Sequence, residues 1–135
     1  MVGLGFLATR GLVSYLRHTS RPENPCSGDL AHAYGFGASQ SGRFLRQFLY
    51  LGLNEDEEDR TVFDGLIPHI AGSRRGEFNL RFGQPSSTSN QSIGTQFPFT
   101  DTFQNDPETG LTDSLLARLG TKGKVLKVFL TNSSA

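Results

Sequence analysis

The stretch Ala31-His32-Ala33-Tyr34-Gly35-Phe36-Gly37-Ala38-Ser39-Gln40-Ser41-Gly42-Arg43-Phe44-Leu45-Arg46-Gln47-Phe48-Leu49-Tyr50 changes its period in the middle. Residues 31–37 form a short, mostly apolar run bounded by loop signals, the pattern of a buried strand. After Gly42, the residues Phe44, Leu45, Phe48 and Leu49 fall on one face of a helix, and Gly52 stands where a helix would stop. Between the two lie only small or polar residues. The spacing predicts a strand over 31–37, a tight turn, and a helix over 41–51.

Similar signals recur on either side. Residues 3–17 predict a helix whose apolar stripe is Leu4, Ala8, Leu12, Tyr15 and Leu16, leaving Arg10, Arg17 and His18 in solvent. Gly11 weakens that helix by about 1 kcal/mol. Pro22 and Pro25 force a loop that carries the single cysteine, Cys26. The acidic run Asn54 to Asp59 reads as a solvated turn or short helical piece. A strand is expected over 64–71 with Pro68 near its end, a helix over 111–119 with Thr112 or Asp113 as N-cap, and a strand over 124–131. Strand and helix alternate, so the expected class is α/β with a parallel core. Residues 73–110 hold no period and include the polar patch 86–92, with Phe97, Phe99 and Phe103 after it. A stretch of that length reads as a lid-like insertion within one domain spanning 1–135.

The composition narrows the function classes. In 135 residues, Lys plus Arg and Asp plus Glu both count 13, so no basic field favours nucleic acid or anionic membrane. No apolar run approaches the ~20 residues of a membrane span, and no targeting segment is legible; the faintly signal-like start reads better as an amphipathic helix. One cysteine excludes an internal disulfide framework and a cysteine-based zinc cluster. No cofactor or metal is expected.

Three chemistries compete for residues 37–43. A phosphate-cradling loop matches Gly37 and Gly42 in spacing, but Arg43 and Phe44 stand where Lys and Ser or Thr belong. A dinucleotide fingerprint beginning at Gly35 meets Gln40 where its third glycine should be. A nucleophile elbow needs small residues two before and two after the nucleophile, because the turn is sharply strained. Gly37 and Ser41 satisfy that for Ser39, whereas Arg43 fails it for Ser41. On this reading Ser39 is the nucleophile and the backbone N–H of Gln40 stabilises an oxyanion. A structural strand-to-helix turn without chemistry stays open beside it.

The wording of the chain resembles a poorly characterised family of α/β-hydrolase-domain proteins. Residues 37–46 and 62–72 carry the likeness, which continues through Arg75-Gly76, Phe78-Asn79, Arg81-Phe82 and Gln84-Pro85. It reappears at 112–118 and 128–134. The elbow is also similar to that of glucuronoyl esterases, which share the order Ser-x-x-Gly-basic. The resemblance implies that the three strands are the fifth, sixth and seventh of an eight-stranded sheet. It implies a serine hydrolase of ester or related acyl substrates, small molecules by class, with triad order serine, acid, histidine. The acid and histidine would then lie beyond Ala135, so the chain reads as an internal fragment, inactive and aggregation-prone alone. Within it, His69, Arg74 and Arg75 follow or end a strand at the ligand-binding edge and are candidates for gripping substrate. The alternative is a non-catalytic α/β module.

Overall fold

In the computed structural model, residues 4–27, 30–72, 76, 78, 97–98, 100–119 and 126–133 are described. Their elements run α1 (Leu4–His18), β1 (Tyr34–Ala38), α2 (Gln40–Tyr50), β2 (Gly65–His69), β3 (Gln104–Asn105), β4 (Thr112–Asp113) and β5 (Lys127–Val128). A parallel sheet of order β1-β2-β5 forms the centre, and β3 and β4 make a small antiparallel pair. The expected α/β class with a parallel three-strand core is what the chain adopts.

The register explains how α2 comes so close to the sheet. β1 pairs with β2 from Tyr34↔Gly65 to Ala38↔His69, so Tyr34, Phe36 and Ala38 share one face and Gly35 and Gly37 the other. A Cβ at Gly35 would stand 2.4 Å from Leu66 Cδ2 and 3.7 Å from Leu45, and one at Gly37 would strike the Ser41 backbone at 2.5 Å. The glycines are therefore the price of seating α2 on β1. On this side Phe6, Leu45, Phe48, Leu49, Val62, Phe63 and Leu66 form the core, with Leu116, Leu119, Leu126 and Val128 packed against them. The strand was expected to be buried on both faces; instead Tyr34 and Phe36 project from the other face into solvent.

α2 ends as its sequence implies. Gly52 N–H donates to Leu49 C=O at 2.9 Å, Leu53 N–H donates to Phe48 C=O at 3.2 Å, and Gly52 takes φ 70°, a Schellman stop. 

Several expectations need correction. The buried face of α1 is Phe6 and Ser14, while Leu4, Leu7 and Leu12 are exposed. Arg17 is not solvated: its guanidinium pairs with Asp64 at 3.0 Å and donates to the carbonyls of Thr61 and Val62. The acidic run is not a solvated turn either. Asn54 is buried and grips the backbone of Phe63 at both ends of its amide, and the buried Asp56 accepts from Ser14, from Arg60 and from the Glu58 N–H. Those partners are what make a polar face of α1 the inward one.

The helix expected over 111–119 does not form. Thr112 and Asp113 pair with Asn105 and Gln104, Leu115 N–H donates to Thr100 C=O, and only turns follow over 115–118. Asp113 does not cap a helix; it accepts from Tyr50 and from Arg118, whose guanidinium lies 4.1 Å over the Tyr50 ring.

The last strand is shorter than 124–131, and residues 124–125 lie outside the described ones. Phe129 and Thr131 N–H donate to Leu66 and Pro68 C=O, and Ile70 N–H donates to Thr131 C=O. In that slanted ladder the carbonyl of Phe129 faces Pro68, which has no N–H to offer. Regular pairing stops at Val128 and resumes only as the bridge His69↔Thr131. The lid-like insertion expected over 73–110 falls mostly outside the described residues.

Candidate active site

Strand ends and helix starts meet at the C-terminal edge of a parallel sheet, and here that edge is built by three short backbone ties. Ser39 N–H donates to His69 C=O at 2.9 Å, which locks the turn after β1 to the end of β2. Ile70 N–H donates to Thr131 C=O at 2.7 Å, which locks β2 to the segment after β5. Arg43 N–H donates to Ser39 C=O at 3.0 Å, the first helical bond of α2.

Ser39 sits between β1 and α2 at φ 54°, ψ −114°, with an exposed side chain that makes no capping bond to the helix. Those angles lie outside every region that residues with a side chain ordinarily occupy. Gln40 opens α2, where the helix directs N–H groups and the positive end of its dipole outward. Ser41 is the second helical residue and is exposed.

The close approach that the elbow pattern ascribes to the second position after the nucleophile occurs one residue later. Gly42 is buried, and a Cβ there would stand 2.8 Å from His69 O, 2.9 Å from Gly37 O and 3.0 Å from Ala71 Cβ. Ser41 is tolerated because it points to solvent, and Gly42 takes the contact with β2. Gly37 is required for the reason the pattern gives, since its missing Cβ makes room for the backbone of Ser41.

His69 ends β2 on the same sheet face as Ala38. Its Nδ1 lies 2.9 Å from Thr131 Oγ1, and its ring stacks on Phe36 at 6.0 Å between centroids and 24° between planes. Ile70 follows at φ 43°, an outlier for a β-branched residue. Two strained positions, Ser39 and Ile70, thus flank one edge. Arg74 and Arg75 lie outside the described residues. Phe103 is exposed, Phe97 half-buried, and Phe99 outside the described residues.

Sequence reading missed Thr131 and the strain at Ile70. The pairing of 131 with 69 depends on the register of β5 against β2, which no local period encodes. It also missed that Arg46 and Gln47 are buried on α2 behind the turn, where burial lowers the pKa of Arg46. Among the described residues, no group of three or more His, Cys, Asp or Glu is placed to hold a metal ion, and no helix is long and apolar enough to cross a membrane.

The family model described as alpha/beta hydrolase domain matches residues 3–116. The match takes in α1, the turn at Ser39, β2 and the β3–β4 pair, and it stops before β5. Neither the curated proteins nor the solved structures give a match.

Proposed function

Because the chain belongs to the alpha/beta hydrolase domain family, we propose that it carries the nucleophile of a serine hydrolase acting on small ester or related acyl substrates. The observation that carries this reading is the backbone of Ser39: an exposed residue held at φ 54°, ψ −114° between β1 and α2, whose hydroxyl makes no capping bond to the helix. In the proposed chemistry Ser39 Oγ attacks the carbonyl carbon, a base takes its proton, and negative charge develops on the carbonyl oxygen. The Gln40 N–H, at the positive end of α2, is the donor assigned to that oxygen.

His69, Arg74 and Arg75 are assigned to substrate contact. The Nδ1 of His69 is engaged by Thr131, and its ring by Phe36. Triad partners follow the nucleophile in chain order in this fold, and His69 is the single histidine after Ser39. The proposal therefore assigns the acid and the base to polypeptide that follows Ala135, and keeps residues 73–110 as a lid-like insertion.

The test has two arms. The 135-residue chain should hydrolyse p-nitrophenyl acetate no faster than its Ser39→Ala variant. The same chain continued through its downstream codons to a carboxylate and then a histidine, and joined to the preceding part of the domain, should lose about a thousandfold or more of its rate on Ser39→Ala. Equal rates for serine and alanine in the longer protein would leave the non-catalytic module as the better reading.

A further inference from the structure

The ring of His69 is held from two sides. Thr131 Oγ1 stands 2.9 Å from Nδ1, and the Phe36 ring stacks against the imidazole. The hydroxyl owes its place to the backbone. Thr131 C=O accepts the Ile70 N–H at 2.7 Å, and Thr131 N–H donates to Pro68 C=O at 3.4 Å. Residues 69 and 131 are bridge partners in a parallel pair, which puts their side chains on one face. Threonine is stiff at χ1, so a backbone tied at both of its polar groups also aims the hydroxyl. On its other side His69 C=O accepts the Ser39 N–H at 2.9 Å. Consecutive bonds thus run from the segment after β5, through the end of β2, to the turn that carries Ser39.

A neutral imidazole has one N–H, and the bond made at one ring nitrogen decides which nitrogen carries it. Two arrangements fit the contact between Thr131 and Nδ1. If Nδ1 donated, the hydroxyl proton would have no acceptor among the described residues. If the hydroxyl donates, Nδ1 accepts, the ring proton sits on Nε2, and one bond satisfies both groups. The ring is then a donor at Nε2, the kind of group that an oxygen of an ester can accept from.

We infer that Thr131 is a positioning residue of the site: its hydroxyl donates to His69 Nδ1 and so holds the ring as an Nε2–H donor to an oxygen of the substrate. The inference rests on the reading of Ser39 as nucleophile and His69 as substrate contact. It is tested in the longer protein used for Ser39. With histidine labelled in nitrogen-15 and the His69 signals assigned by their loss in His69→Gln, spectra at about pH 8, where imidazoles are ordinarily neutral, should show a pyridine-like Nδ1 and a pyrrole-like Nε2. Thr131→Val keeps the branched shape and the backbone bonds without the hydroxyl. It should move both signals toward the average of two tautomers. It should also raise KM for p-nitrophenyl acetate about fivefold, with kcat within about twofold, because the contact is made before and during the reaction alike. Thr131→Ser should restore both readouts. A pyrrole-like Nδ1 in the parent, signals or KM unmoved by Thr131→Val, a loss confined to kcat, or a serine variant no better than valine would each overturn the inference while turnover still depends on Ser39. Equal rates for the parent and Ser39→Ala would instead bring down the reading of the site, and this inference with it.

Discussion

At Ser39 an exposed side chain that does not cap α2 stands on backbone that a side chain makes worse. The strain at φ 54°, ψ −114° is of the order of 1–3 kcal/mol, and glycine relieves it at the expense of extra unfolded-state entropy. Ser39→Gly should therefore stabilise the chain by about 1 kcal/mol, while Ser39→Ala should change its stability little. Urea denaturation of the three proteins checks this, and a destabilised Ser39→Gly would mean that the hydroxyl holds the turn after all. The turn was legible in the sequence because small residues at 37 and 42 admit few alternatives. Ile70 was not, since nothing about an isoleucine after a strand announces a positive φ.

Between elements, polar partners decide which side faces in. The apolar stripe of α1 is a fair reading of its sequence, yet the helix turns Phe6, Ser14 and Arg17 inward. Ser14 and Arg17 meet Asp56 and Asp64, which come from segments some forty residues away, so a window confined to α1 could not have revealed them. Phe6 lies against Phe44 at 4.4 Å between ring centroids and meets Phe48 and Phe78. Phe6→Ala should cost about 3–5 kcal/mol, and Leu12→Ala should cost about 0.5 kcal/mol or less, an order opposite to that expected from the stripe. Equal costs, measured by chemical denaturation, would place the helix the other way round. The absent helix over 111–119 has the same origin: Leu115, Leu116 and Leu119 have helical spacing, but Thr100 takes the Leu115 N–H and the β3–β4 pair takes the residues before it. The core strands, by contrast, were legible to within a few residues, because their apolar runs are bounded by glycine and proline.

Across the whole molecule, carboxylates make the fold sensitive to acid. Burial by itself would raise the pKa of Asp56, but hydrogen bonds from the Ser14 hydroxyl, Arg60 and the Glu58 N–H outweigh it and hold the carboxyl well below its usual range. Asp64 is lowered against the same opposition by the Ala33 N–H and Arg17, and Asp113 by Arg118, Tyr50 and the Ser114 N–H. In each case the folded pKa lies below the unfolded value of about 4, so the stabilisation is complete above that pH and is lost as pH falls through and below it. Melting temperature should stay nearly flat, so far as these groups go, between pH 7 and 5 and drop below pH 4. Asp56→Asn should start lower and fall less steeply. A variant with the slope of the parent would show that Asp56 takes no part in the acid transition.

The strained serine also has a consequence on the timescale of descent. Since neither packing nor helix capping among the described residues depends on the hydroxyl at position 39, a lineage that had no need of the proposed hydrolysis would meet no barrier to losing it, and a small gain in stability on reaching glycine. Sister sequences that keep Gly37 and Gly42 but have lost the serine would be its retired descendants. Position 39 is where such a lineage would record its change of trade first.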